Sequence, residues 1–200
     1  QHSMNPAPTA PPVKIVTLAI GSDHAGLRLK DVLKEHLGSR GFRVNDFGAT
    51  STESTDYPDF AQAVAHTVAS GRSDVGILVC ATGVGMSIAA NKVPGIRAAL
   101  VFDERMAALA RQHNNANVLC LGEKIVGPDV ATRILDSFLN AHFEGGRHER
   151  RVGKLEVFNI AAGSRVRAVD ADVADVISLE RHRQEENIEL IASENFTSAA

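Results

Sequence analysis

Val75-Gly76-Ile77-Leu78-Val79-Cys80-Ala81-Thr82-Gly83-Val84-Gly85-Met86-Ser87-Ile88-Ala89-Ala90-Asn91-Lys92 changes character twice along its length. It begins as an apolar run of strand length. Glycines then break it, and a helix-forming segment follows. The order reads as strand, tight loop, helix. In a parallel α/β sheet the crevice at the carboxyl ends of the strands is where ligands bind. The loop glycines let backbone N–H groups approach an anion, and a following helix N-terminus favours negative charge. A thiol in that field, Cys80, is placed to serve as a base or nucleophile.

The flanking sequence repeats the alternation. Val13–Gly21 reads as a first strand. Leu29, Val32, Leu33, His36 and Leu37 recur at helical spacing, and Gly38 and Gly41 end that helix. A second strand is expected over Phe42–Phe47, a polar Ser/Thr-rich loop over Gly48–Pro58, and a helix from Asp59 to about Ser70. Ile96–Phe102 and Val118–Leu121 read as the fourth and fifth strands. Asp103 caps a helix running to Gln112. Ala131, Ile134, Leu135, Phe138 and Leu139 mark another helix. Gly145–Arg151 reads as a basic loop, with a closing helix to about Ile160. This alternation predicts a three-layer α/β/α, Rossmann-like domain with a five-stranded parallel sheet.

The domain is expected over 13–160. Gln1-His2-Ser3 looks like a tag scar, and Pro6–Pro12 a disordered leader. Residues 161–200 read as a linker and an acidic helical tail. The net charge of −3 hides an asymmetry, because residues 170–200 hold eight acidic and two basic residues. The remainder is mildly basic, which suits a small anionic substrate. Nothing in the charge points to nucleic acid or membrane. No apolar run has the length of a membrane span, and no signal peptide is visible. The two cysteines, Cys80 and Cys120, have no framework spacing, which suits a reducing cytoplasm.

Several residues allow two readings. Asp23 either caps the next helix beside a solvated His24, or forms with His24 a pair that contacts a ligand. Gly83-Val84-Gly85 half-matches a dinucleotide fingerprint, but Ile88 stands where the third glycine belongs. His113 either complements a helix dipole or carries chemistry. Cys120 reads as a small buried hydrophobe. Arg147, Arg150 and Arg151 are either a solvated basic run or a bidentate phosphate clamp. No Cys/His/Asp group has metal-ligand spacing, so no metal is expected.

Taken together, these segments resemble the ribose-5-phosphate isomerase B family, the RpiB/LacAB sugar-phosphate isomerases. The resemblance rests on Gly21-Ser22-Asp23-His24-Ala25-Gly26, Thr55-Asp56-Tyr57-Pro58, Cys80 to Lys92, Gly95-Ile96-Arg97-Ala98, Arg111-Gln112-His113-Asn114 and Glu144-Gly145-Gly146-Arg147-His148. These stretches run in the family's order across about residues 13–158. The resemblance implies interconversion of aldose and ketose phosphates through a cis-enediolate, without metal or organic cofactor. Ribose 5-phosphate and ribulose 5-phosphate are the implied pair, with a hexose or tetrose phosphate, or non-catalytic sugar-phosphate binding, as alternatives. It implies Cys80 as the base, His113 as the ring-opening acid and Asp23 beside the ring. Thr82 joins them as a catalytic residue. The backbone of Ala81, Thr82, Gly83, Val84 and Gly85, with Asn114, would hold the enediolate oxygens. His24, Arg147 and Arg151 would bind the phosphate. The family implies a homodimer or homotetramer whose sites take His113 and Asn114 from the neighbouring subunit. Ala81 stands where the family usually has glycine, which implies a possible change of loop geometry. Leu179-Glu180-Arg181 and Arg183 through Ser198 resemble the start of serine hydroxymethyltransferase. The stretch is too short to carry that enzyme's pyridoxal-phosphate chemistry.

Overall fold

The computed structural model describes residues 15–159. The expected leader over 1–12 and the linker and tail over 161–200 lie outside the described residues. The chain divides into two units, Gln1–Glu156 and Val157–Ala200, and the sheet with its covering helices belongs to the first.

Five strands form one sheet: β1 (Thr17–Ser22), β2 (Arg43–Asp46), β3 (Val75–Cys80), β4 (Ala98–Leu100) and β5 (Val118–Gly122). Their order is β2-β1-β3-β5-β4, and every pairing is parallel. Six α-helices lie between or after them: α1 (Leu27–Ser39), α2 (Tyr57–Ala69), α3 (Val84–Ala90), α4 (Glu104–Asn114), α5 (Pro128–Asn140) and α6 (Arg147–Asn159). The chain runs from β1 outward to β2, then returns to the other side of β1 as β3. The order therefore reverses between β1 and β3, and the carboxyl ends of that pair form the ligand-binding crevice of such sheets.

Alternation along the strands sorts the core into two layers. Leu18, Ile20, Val75, Ile77, Val79, Leu119 and Leu121 face a layer built from α1, α4 and α5. Ala19, Leu78, Cys80, Val118 and Cys120 face the opposite layer, built from α2 and α3. Successive side chains of a strand point to opposite faces, so strands covered on both sides read as continuous apolar runs. The expected three layers are present. Burying a Leu or Phe side chain contributes roughly 1.5–3 kcal/mol. Phe138 and Leu119, both wholly buried, are central to the first layer.

Some boundaries differ from the sequence expectation. The first strand begins at Thr17, because the amides of Val16 and Thr17 donate to the Asp74 carboxylate at 2.8 Å each. Strand β4 spans three residues where 96–102 was expected. There the Arg97 and Ala98 amides go to the side chains of Asn117 and Asn91. Helix α2 starts at Tyr57, since Pro58 lies in its first turn, where its ring suits the helix. The expected basic loop over Gly145–Arg151 is confined to its two glycines, both at positive φ. Arg147, Arg150 and Arg151 are therefore helical residues at the start of α6.

Candidate active site

At the carboxyl ends of β1 and β3, backbone contacts too close for any side chain assemble the site. A Cβ on Gly26 would lie 2.6 Å from the Val79 carbonyl group, so the turn His24–Gly26 rests directly on the end of β3. Asp23 begins that turn, and its Oδ1 accepts from the amides of Ala25 and Gly26 at 3.0 and 3.1 Å. The capping reading of Asp23 therefore holds. His24 is half-buried and held rather than solvated. Its Nδ1 accepts from the Thr55 amide at 3.1 Å, and its own amide donates to Thr55 Oγ1 at 3.3 Å.

Cys80 closes β3 with 5% of its surface exposed. Its Sγ accepts a hydrogen bond from the Gly83 amide at 3.1 Å, which orients the sulfur beneath the loop. Gly83 has φ +78°, and a Cβ there would meet Leu100 Cδ1 at 2.5 Å and the Leu121 carbonyl carbon at 2.9 Å. The loop is pinned from below by amides of the β5–α5 connection. Glu123 donates to the Cys80 carbonyl at 2.9 Å and Lys124 to that of Ala81 at 3.0 Å. Ala81 sits there without backbone strain, because Asn115 alone among the described non-glycine residues has positive φ. Thr82 is exposed at the loop's crest. Tyr57 covers Gly85 so closely that a Cβ would stand 2.8 Å from its ring. Cys120 is wholly buried in the same core layer, on the neighbouring strand β5. Burial, and secondarily the nearby Cys80, pushes its thiol far up, so it stays protonated and chemically quiet.

His113, Asn114, Arg147 and Arg151 are elsewhere. Helix α4 runs back across the sheet and ends at Asn114, just before β5 begins. His113 therefore stands at the amino end of β5. Cys80 pairs with Gly122, and Gly76 pairs with Val118. Four strand residues separate these rungs, about 13 Å at ~3.3 Å per residue. Proton transfer needs heavy atoms within roughly 2.6–3.2 Å, or one bridging water. Within one chain, Cys80 and His113 therefore lie toward opposite ends of the strands.

The second cluster has its own architecture. The His113 and His148 rings stack with centroids 4.2 Å apart and planes inclined by 4°. Glu144 Oε2 lies 3.8 Å from His113 Nε2 and 3.7 Å from His148 Nε2. Arg147 Nε donates to His148 Nε2 at 3.3 Å. Desolvation, then the neighbouring His113 and Arg147, hold the His148 pKa below its ordinary value against the pull of Glu144. An open depression of about 360 Å³ is lined by His113, Asn114, His148, Arg151, Val152 and Leu155. His148 and Glu144 escaped sequence reasoning because His113 is far from them in the chain. The available signals were their i,i+4 spacing and their place in the Glu144–His148 stretch that carries part of the resemblance.

Three potential ligand atoms here, from His113, Glu144 and His148, lie within 4.8 Å of one another. The stack nevertheless does not converge on an ion. Imidazole lone pairs lie in the ring plane, and a bound zinc sits at ~2.0–2.1 Å from nitrogen. Two nearly parallel rings at this separation cannot both aim at one such point, and Arg147 already occupies the His148 lone pair. Among the described residues, no helix is long and apolar enough to cross a membrane.

The sequence model of the Ribose/Galactose Isomerase family matches residues 18–155. The chain is 51% identical over 135 residues to ribose-5-phosphate isomerase B of Escherichia coli, covering 68% of this chain and 91% of that protein. It is 42% identical over 142 residues to the D-erythrulose-4-phosphate isomerase of Pectobacterium atrosepticum, covering 70% and 93%. Its fold is similar to the crystal structure of ribose-5-phosphate isomerase B from Mycoplasma genitalium with bound ribulose-5-phosphate. That match has a TM-score of 0.70 and 49% identity over 74% of this chain and 98% of the other.

Proposed function

This chain belongs to the ribose/galactose isomerase family, and on that premise we propose that it interconverts ribose 5-phosphate and ribulose 5-phosphate through a cis-enediolate. The partner subunit's His113 protonates the ring oxygen as its bond to C1 breaks, the proton of the C1 hydroxyl passes to water, and the open-chain aldehyde results, with Asp23 beside the ring. Cys80, as thiolate, takes the proton from C2 of the open-chain aldose. The electron pair moves into a C1–C2 double bond, and negative charge collects on O1. A proton passes from O2 to O1, and Cys80 returns its own proton to C1, leaving the carbonyl at C2. C1 is reduced as C2 is oxidised, so the step balances without an external hydride acceptor.

The amides of Ala81 to Gly85, with Thr82 and the partner subunit's Asn114, surround the enediolate oxygens, where fixed donors favour developing charge. His24, together with the partner subunit's Arg147 and Arg151, takes the phosphate. The observation that carries this reading is the Cys80 sulfur at the crevice between β1 and β3, fixed under the Gly83 amide. The separation of Cys80 from His113 supports a homodimer or larger assembly with shared sites. The free cysteines suit the cytoplasm. The isomerase domain is 13–160, and residues 170–200 are dispensable for turnover.

A second reading, the same proton transfer on a four-carbon sugar phosphate, is favoured by the likeness to the erythrulose-phosphate enzyme. Purified protein assayed with four-, five- and six-carbon aldose phosphates decides between them. The proposal expects the highest kcat/KM on the five-carbon pair. A maximum at four or six carbons replaces it with the alternative substrate, and binding without turnover of any substrate makes the chain a sugar-phosphate binder.

A further inference from the structure

The polar loop before α2 contributes one residue that the catalytic reading leaves without a role. Thr55 meets His24 twice, across 31 positions of sequence. The Thr55 amide donates to His24 Nδ1 at 3.1 Å, and the His24 amide donates to Thr55 Oγ1 at 3.3 Å. A ring nitrogen that accepts from a backbone N–H carries no proton of its own, so in the neutral imidazole the proton sits on the other nitrogen. We propose that Thr55 is a positioning residue: it holds His24 as the Nε2–H tautomer, leaving Nε2 as the ring atom that donates to a bound phosphate.

The setting on either side is rigid. The turn that carries His24 has no room for a Cβ at Gly26 against the Val79 carbonyl, and Asp23 ties its amides. The loop that carries Thr55 is fixed at its start. The Ala49 amide donates to the Ser22 carbonyl at 2.8 Å, and Lys30 Nζ donates to the Ala49 carbonyl at 2.9 Å. At its end, α2 begins at Tyr57 with Pro58 in its first turn. Two anchored segments thus meet at one imidazole. A wrong tautomer would turn an acceptor lone pair toward an anion, so fixing the tautomer decides whether His24 attracts or repels phosphate. Only the identity of the ligand rests on the isomerase reading.

Two measurements test this. Imidazole-nitrogen NMR of the ligand-free protein, with His24 assigned by its loss in His24→Gln, is expected to show Nε2 protonated and Nδ1 unprotonated. Thr55→Val removes the hydroxyl acceptor and is expected to broaden or mix that signature. It should also raise KM for ribose 5-phosphate by about 2- to 13-fold, the range for one ordinary hydrogen bond of ~0.5–1.5 kcal/mol. kcat should stay within about twofold, and Thr55→Ser should restore both the spectrum and KM. An Nδ1–H spectrum in the unmodified protein overturns the proposal. So does a Thr55→Val protein, folded by its thermal transition, whose spectrum and KM are unchanged, or whose loss falls on kcat. The spectrum is read without substrate, so it decides the tautomer even if ribose 5-phosphate proves not to be turned over.

Discussion

Cys80 and His113 sit at opposite ends of the strands of one sheet, Cys80 at the carboxyl end of β3 and His113 in the helix that leads into β5. Cys80 is on the rung it shares with Gly122, and His113 ends the helix that leads into Val118, four rungs away. In the proposed reaction, the groups around each would supply one half of the chemistry. The Cys80 end has a fixed sulfur, a loop of amides and a locked imidazole. The His113 end has an imidazole stack, an amide side chain and two arginines. In the proposed assembly, a second copy of the chain sets its His113 end over this chain's Cys80 end and so supplies both halves.

Mixing two inactive variants tests that arrangement directly. Cys80→Ala alone should lose ~10²–10⁴-fold in kcat, the usual loss when a general base is removed, and His113→Ala should be similarly impaired with the closed-ring sugar. Subunit exchange between them gives hybrids with one intact site and one doubly damaged site. Random exchange in a dimer should therefore restore about a quarter of the activity of the unmodified protein. Exchange verified by a mass tag, with no recovered turnover, would place both residues in one chain's site.

Gly83→Ala probes the loop rather than the base. Forcing an L-residue to φ +78° costs on the order of 1–3 kcal/mol. The new methyl also meets the Leu121 carbonyl carbon at 2.9 Å, and that atom is backbone and cannot step aside. At ~2–4 °C per kcal/mol for a chain of this size, Tm should fall by about 2–12 °C. kcat should fall with it, because the amide on Cys80 Sγ moves. A calorimetric scan and a rate that both match the unmodified protein would show that the loop has freedom this geometry denies.

The two kinds of structure differ in how far they were legible from sequence. Strand β3 and its loop were readable because the segment is covered on both faces, so burial leaves an unbroken apolar run that stops at Cys80. Strand β4 was readable too, but not its ends, because the polar side chains of Asn91 and Asn117 take amides that an apolar count assigns to the ladder. The start of α6 was hidden by its charge. Arginines oppose the helix dipole in a first turn, so Arg147, Arg150 and Arg151 read as a loop. The His113–His148 stack and the Thr55–His24 bonds join residues distant in the chain, and no periodicity reports such pairs.

Lys30 and Asp46 give the fold a dependence on pH. Lys30 is 2% exposed, and its Nζ donates to Asp46 Oδ2 at 3.0 Å. Burial pushes the Asp46 carboxyl up, but hydrogen bonds from Lys34, the Gly48 amide and Lys30 outweigh it and hold its pKa below 3.8. A depressed folded-state pKa stabilises the protein fully above the unfolded value, and the contribution is lost as pH falls through the folded one. Asp46→Asn should therefore lower the urea midpoint most near pH 7, and its deficit should shrink below about pH 3.8. Leaving one partner of a buried pair alone costs ~3–5 kcal/mol, and the loss here should be smaller because 19% of the Asp46 side chain remains exposed. Lys30→Met removes the buried charge itself and should cost much less. Equal losses for the two variants at every pH would show that the pair is not what stabilises this corner.

Arg147 and Arg151 gain nothing from the dipole of their own helix, and that makes their role separable from stability. Arg147 opens the first turn of α6, where the dipole disfavours a cation by ~0.3–1 kcal/mol, and Arg151 stands in the second, where that penalty has faded. Arg147 also donates to His148, so Arg151, which lines the depression beside His113 and Asn114, is the cleaner probe. Arg151→Ala should leave Tm unchanged or slightly raised. A hydrogen bond to a charged group contributes ~1.5–3 kcal/mol, so KM for ribose 5-phosphate should rise by roughly 10- to 150-fold while kcat changes little. The control is ribose without its phosphate. Its slow turnover should be nearly indifferent to Arg151→Ala, since the group the arginine pairs with is gone. An equal penalty on both sugars, or a lowered Tm with no change in KM, would make Arg151 a structural residue and leave the phosphate to Arg147 and His24.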